Sequence, residues 1–240
     1  MKKKTEASRP LLTERSLEAW RIIFKERFEL CNDYVERLVK LIAELLAKQK
    51  IEIAQIEGRP KPVDSFIEKI QREGKKYKNP IDDVTDQAGL RIILFYKEDV
   101  DLVETILKKE FSIDWDKSID KAQMLAPDRF GYLSVHYVIS LKSPRKDLSE
   151  WKTFNDIKAE IQVRTVLQHA WASISHKIGG YKREKAIPEN LRRQLFRVSA
   201  LLEIADEEFL NIKKNKLNVI LNLDSLEEYL FSTDKVQRYV

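Results

Sequence analysis

The sequence predicts an α/β protein of the α+β kind, a mixed β-sheet flanked by helices, with long helical segments at both ends. Three observations carry that expectation. Residues Leu90 to Tyr96 form a near-continuous apolar run, the pattern of a strand covered on both faces. Residues 132–141 and 158–164 alternate in character, as a strand with two unlike faces does. Apolar residues recur at helical spacing over 13–50 and again over 188–216. The 240 residues divide on this reading into an N-terminal helical segment, 1–50, a sheet domain, 51–185, and a C-terminal helical extension, 186–240.

In the first helical segment Leu17, Trp20, Phe24, Phe28, Cys31, Val35, Leu38, Ile42 and Leu45 make one apolar stripe, and Thr13 or Ser16 suits its N-cap. Ile51 to Ile56 alternates, as a short strand or as the exit of that helix. Pro62 suits the first turn of the next helix, and Lys61, Ser65 and Lys69 recur every four residues on one face. Two ammonium groups flanking a hydroxyl at a helix start would cradle a polyphosphate; solvated lysines on an exposed helix account equally for the spacing. Pro80 to Asp86 is an acidic turn ahead of the apolar strand that carries Arg91. A guanidinium inside such a strand needs a partner or a use, because burying an unpaired charge is costly.

Glu98 to Phe111 reads as an amphipathic helix, Ile113 to Trp115 as a further strand, and 116–131 as an aperiodic loop. Along 132–141, Ser134 and His136 share one face opposite Val135, Tyr137 and Ile139. In the strand 158–164, Ala159, Ile161 and Val163 take one face and Glu160, Gln162 and Arg164 the other. An apolar helix, 165–178, follows directly, with Trp171 and Ile174 as its core anchors. The strand is therefore expected at the centre of the sheet, where three polar residues in a row floor a polar site. Gly179-Gly180 ends that helix, and Pro188 starts a long charged helix to about Lys216 with the stripe Leu191, Leu195, Val198, Leu201, Leu202, Ala205 and Phe209. A separate amphipathic helix around 224–231 closes the chain.

The bulk numbers narrow the function classes. A net charge of +5 fits anionic small molecules and points only weakly to nucleic acid. With Cys31 as the single cysteine, no internal disulfide forms. Histidines at 136, 169 and 176 are too dispersed for a His/Asp metal hydrolase or a zinc site. No apolar run approaches the roughly 20 residues that span a bilayer, and no apolar segment follows the basic start, so a cytoplasmic protein without membrane partners is expected. Asp86, at a strand entrance, and Glu160, on a strand, are placed to meet across adjacent strands. Paired carboxylates among lysines and arginines suit magnesium, which takes one or two carboxylates together with substrate phosphates. That combination points to phosphoryl or nucleotidyl transfer. A glycosidase also uses two carboxylates but has no need of so many cations.

Four ordered motifs, Gly58-Arg-Pro-Lys61 with Ser65 and Lys69, Asp86-Gln-Ala-Gly-Leu-Arg91, Gly131-Tyr-Leu-Ser-Val-His136 and Glu160-Ile-Gln-Val-Arg-Thr165, resemble the synthetase domain of the RelA/SpoT family. The likeness runs from about 50 to 185 and extends to Trp171 and His176-Lys177 on the following helix. It implies a nucleotidyltransferase-type fold and transfer of the β,γ-pyrophosphate of ATP to the ribose 3′-hydroxyl of GDP or GTP, giving ppGpp and pppGpp. It also implies roles. Arg59 and Arg91 would sandwich the adenine of ATP, and Lys61, Ser65 and Lys69 would hold its phosphates. Asp86 would bind Mg2+, and Glu160 would assist the metal and take the proton from the 3′-hydroxyl. Tyr132 would stack on the acceptor base, with His136, Gln162 and Arg164 lining its ribose and phosphates. The chain departs from the family at Pro127-Asp128-Arg129-Phe130, where lysine and asparagine are common, at Ser175, where glutamate is, and at His169, where an amide is. The acceptor thus stays open between GDP or GTP and those of toxic small synthetases, tRNA 3′ ends or adenine nucleotides; Lys117, Lys121 and Arg129 would suit an RNA backbone. A catalytically silent nucleotide-binding module is the rival reading, and a homo-oligomer or antitoxin contact would use the terminal helices.

Overall fold

The computed structural model of the chain describes residues 14–72, 77–120, 134–178 and 188–237. The first helix, α1 (Glu14–Lys48), buries Phe24, Cys31, Tyr34, Val35, Leu38, Ile42 and Leu46, spaced by three and four residues as an amphipathic helix requires. The observed core stripe keeps Phe24, Cys31, Val35, Leu38 and Ile42 of the expected one and adds Tyr34 and Leu46, while Leu17, Trp20, Phe28 and Leu45 are half-buried; Thr13 lies outside the described residues. After it come β1 (Ile53–Pro60), α2 (Val63–Ile70), the short α3 (Pro80–Asp83) and β2 (Ala88–Leu94). Pro62 is the N-cap of α2, one residue before the first turn. Then follow α4 (Asp99–Glu110), β3 (Phe111–Ile113), β4 (Ile119–Asp120), β5 (Val135–Leu141), the short α5 (Ser149–Lys152) and β6 (Ala159–Thr165). Two helices, α6 (Val166–Ile178) and α7 (Glu189–Gln237), complete the described chain.

The sheet runs β1-β2-β6-β5-β3, with β4 paired to β5. Strands β2 and β6 are parallel and the other pairs antiparallel, so the sheet is mixed and β6 is its middle strand. One face belongs to the core. Leu90, Ile92 and Leu94 of β2, Ile161 and Val163 of β6, and Tyr137 and Ile139 of β5 pack with α1 and with Val103 and Leu107 of α4. A smaller core joins α1 to α2, centred on the stacked rings of Phe24 and Phe66 at 4.0 Å. Because strand side chains alternate, Arg91, Glu160, Gln162 and Arg164 emerge on the other face.

At Gly58 the side chains of α1 lie close against β1. A Cβ there would lie 2.5 Å from Val35 Cγ1 and 2.9 Å from Val39 Cγ2. Gly58→Ala is therefore expected to destabilise the fold by about 1–3 kcal/mol through overpacking. A lower urea midpoint at unchanged slope is the sign to look for.

Two expectations about the last helices are corrected. Ile174 is 59% exposed and Trp171 only half-buried, its indole N–H donating to the Leu195 carbonyl of α7 at 3.3 Å. Helix α6 adjoins β6 and β2, and Ile174 lies on its exposed side. Helix α7 is one continuous helix, so no separate helix begins near 224. Along it Leu191, Val198, Leu201 and Phe209 stand exposed, while Ser199 and Asp206 are buried. Leu195, Leu202 and Ala205 of the expected stripe are half-buried, and polar bonds add to the docking of α7. Thr165 Oγ1 donates to Asp206 Oδ2 at 2.7 Å, and Lys213 Nζ lies 2.7 Å from Glu98 Oε1. Burial pushes the Asp206 carboxyl above its ordinary value of 3.8, outweighing the Thr165 hydrogen bond and the Lys97 charge that pull it down. An acid raised in the folded state supports folding fully below its unfolded value, and that support is lost as pH rises. Asp206→Asn is accordingly expected to raise the melting temperature at pH 7, the gap closing as pH falls toward 4; equal midpoints at both would contradict this. Among the described residues no helix is long and apolar enough to cross a membrane.

Candidate active site

On the polar face lies a cleft of about 370 Å³ lined by Glu57, Arg59, Lys61, Ser65, Asp86, Arg91, Glu160 and Gln162, within the size range of small-molecule sites. Strand register builds it. Glu57, Arg91, Gln162 and His136 stand in one cross-strand row over β1, β2, β6 and β5. In the next row Gly89 comes between Arg59 and Glu160. A Cβ at Gly89 would meet only the Arg59 carbonyl oxygen, at 3.5 Å, so the bare glycine leaves the floor between Arg59 and Glu160 open.

Asp86 sits on the loop from α3 into β2. Its neighbour Gln87, 2% exposed, anchors that loop: the amide nitrogen donates to the carbonyls of Ile81 and Val84, and Oε1 accepts from Arg27 Nε at 3.0 Å. The Gln87 carbonyl also accepts from the Lys61 backbone N–H at 2.8 Å, fixing the lysine beside the acid. Lys61 Nζ is 2.8 Å from Asp86 Oδ2, and Lys69 Nζ is 2.8 Å from Oδ1. Burial alone would raise the Asp86 carboxyl, but the ammoniums of Lys69 and Lys61 outweigh it and hold the acid below the usual carboxylate range.

Glu160 is held differently. His136 Nδ1 lies 3.1 Å from its Oε1, and the Gln162 amide donates to the same oxygen at 3.1 Å. Burial again pushes the acid up, with the Asp86 charge adding to it; the His136 and Gln162 bonds win and lower it. Gln162 Oε1 in turn accepts from Arg164, which is 3% exposed. Arg91 Nη1 pairs with Glu57 Oε1, which answers what a guanidinium does inside that strand.

The structure thus brings Arg59, Lys61, Ser65, Asp86, Arg91, Glu160 and Gln162 to one cleft, adds Lys69 through Asp86 and His136 through Glu160, and puts Arg164 behind Gln162. Tyr132 lies outside the described residues, as do Lys121, Arg129 and the segment Pro127 to Phe130. Three contributors were not singled out from the sequence. Glu57 shares a strand face with Arg59, and alternation would have flagged it; Gln87 carries no sequence signal, and alternation puts Ser134 on the face of His136 without showing the bond between them. His169 on α6 is half-buried, and its imidazole is held below its ordinary value by burial and by the charges of Arg164 and Arg91.

Among the described residues no three acidic, histidine or cysteine side chains gather as a metal cage. Of the three carboxylates on the cleft, Glu57 is paired with Arg91, which leaves Asp86 and Glu160, and Asp86 Oδ1 is buried without a well-aligned hydrogen bond despite Lys69 nearby. That donor set fits a hard cation that shares its coordination with substrate phosphates.

Acids, ammoniums and guanidiniums converging on a mixed sheet define the class, enzymes that transfer phosphate-bearing groups. The chain belongs to the RelA/SpoT family: residues 58–186 match the region found in RelA / SpoT proteins. It is 32% identical over 167 residues to the GTP pyrophosphokinase YwaC of Bacillus subtilis (strain 168), across 68% of this chain and 74% of that one. The structure of a GTP pyrophosphokinase family protein from Streptococcus pneumoniae superposes with TM-score 0.64 at 26% identity, covering 80% of this chain and 93% of that chain. Small alarmone synthetase 2 from Bacillus subtilis does so at 0.60 and 29%, over 82% and 98%. The nucleotidyltransferase-type fold expected from the four motifs is the fold these proteins share.

Proposed function

We propose that the protein moves the β,γ-pyrophosphate of ATP to the ribose 3′-hydroxyl of GDP or GTP, releasing AMP and yielding ppGpp or pppGpp. The observation that carries this is the meeting of Asp86 and Glu160, 74 residues apart by number (160 − 86), in one cleft with the Lys61 and Lys69 ammoniums. The names of its relatives supply the acceptor.

On this reading Lys61, Ser65 and Lys69 hold the donor's phosphates, and Arg59 and Arg91 stack on its adenine, a task suited to planar guanidiniums. The acceptor comes in on the β5 side of Glu160, where His136, Gln162 and Arg164 stand and where Tyr132 would stack on its base. Asp86 would hold Mg2+ with Glu160 assisting, and the ion would supply neutralisation of the phosphate charge. Glu160 takes the proton from the 3′-hydroxyl; the freed oxygen attacks the β-phosphorus, and the bond to the α-phosphate breaks with AMP leaving. A reaction that consumes ATP and guanosine nucleotides fits the cytoplasmic location expected from the sequence.

Mass spectrometry of products from labelled ATP offered with GDP, GTP, AMP, ADP and deacylated tRNA is the test. AMP with 3′-pyrophosphorylated guanosine nucleotide is expected. Label on tRNA or adenine nucleotides alone would replace the acceptor, and tight nucleotide binding with no AMP from any acceptor would leave a silent binding module. The apolar residues that α7 exposes, among them Leu201 and Ile204, support self-association through that helix; a solution mass of one 28.3 kDa chain would argue against it.

A further inference from the structure

The family likeness gives His136 to the acceptor, yet both of its ring nitrogens are engaged within the protein. Nδ1 lies 3.1 Å from Glu160 Oε1, and Nε2 lies 2.9 Å from Ser134 Oγ. An imidazole has only these two hydrogen-bonding atoms. Ser134 is 3% exposed and precedes β5 directly, so its hydroxyl cannot reorient into bulk water. A carboxylate oxygen only accepts, so Nδ1 carries a proton toward Glu160, and Ser134 Oγ is placed to donate to Nε2, which together hold one tautomer. Glu160 Oε1 then accepts twice, from His136 and from Gln162 Nε2 at 3.1 Å. Among the described residues both bonds fall on that one oxygen, so Oε2 is the atom left to act.

We propose that His136 and Ser134 are positioning residues for Glu160: Ser134 sets the His136 tautomer, His136 and Gln162 lock Oε1, and Oε2 is the oxygen that receives the 3′-hydroxyl proton. The inference rests on the pyrophosphate-transfer reading above and assigns these two residues to the base instead of to acceptor binding. No proton passes along the Ser134–His136–Glu160 series; the bonds fix a plane and a direction. Partners that orient a reactive group from behind typically matter by about 10–100-fold in activity.

The test is Ser134→Ala and His136→Ala in the full chain, read as kcat and acceptor KM with ATP, and as GDP affinity by calorimetry with α,β-methylene-ATP, whose bridge is not cleaved. The expected result is kcat lower by about 10–100-fold in Ser134→Ala and at least as low in His136→Ala, with GDP affinity within about twofold of wild type. Each substitution is read beside its thermal midpoint, and either alone carries the split. GDP affinity lost at unchanged kcat would return His136 to the acceptor site and overturn the proposal, as would wild-type kcat in Ser134→Ala. A wild-type protein that releases no AMP with any acceptor would instead sink the reaction itself, which separates the two failures.

Discussion

Asp86→Asn is expected to lower pyrophosphate transfer by at least about 10³-fold, or about 4 kcal/mol of transition-state stabilisation, because a neutral amide cannot grip a divalent cation. The side chain keeps its shape, and the loop stays in place because Gln87, not Asp86, bonds to Ile81, Val84 and Arg27. What changes is charge. Two ammoniums now face a group that no longer offsets them, so triphosphate binding survives or tightens while turnover falls. AMP release at saturating ATP, beside the affinity for a fluorescent ATP analogue, distinguishes this from simple loss of binding. Unaltered turnover would remove the mechanism proposed for the cleft.

Glu160→Gln has the second largest expected effect, a fall in kcat by about 10²–10⁴-fold, the usual contribution of a positioned general base. The depressed carboxyl of Glu160 is charged across the neutral range, held so by His136 and Gln162 against its burial. Glutamine keeps an acceptor oxygen for His136 but has no charge to draw the proton from a hydroxyl. ATP affinity is expected to change little, since the lysines and arginines of the donor side are untouched. Should kcat hold and only donor affinity move, Glu160 would be a donor-binding residue. The difference between the two acids is informative: Asp86 has a cation beside each oxygen, whereas Glu160 takes two hydrogen bonds on one oxygen.

Most of the strands were legible in the sequence for a local reason. Alternation at Glu160-Ile-Gln-Val-Arg needs nothing beyond the two-residue period, and the observed β6 buries Ile161 and Val163 as expected. Of the Lys61, Ser65, Lys69 series, the first two line the cleft and Lys69 joins it through Asp86. The last two helices were misread because their stripes are apolar without being buried: Ile174, Val198 and Leu201 fit a helical period, and periodicity does not say which side meets a core.

By itself the sequence determined which residues share a strand face, the ordered motifs of the family and the residue types available for phosphate and metal. Only the tertiary structure decided who pairs with whom. Register puts Glu57 opposite Arg91 and His136 beside Gln162, and the return of distant segments sets Lys61 and Lys69 on Asp86 and His136 on Glu160. Side-chain direction follows from local backbone period, whereas partnership depends on strand order and loop closure, which no stretch of neighbouring residues encodes.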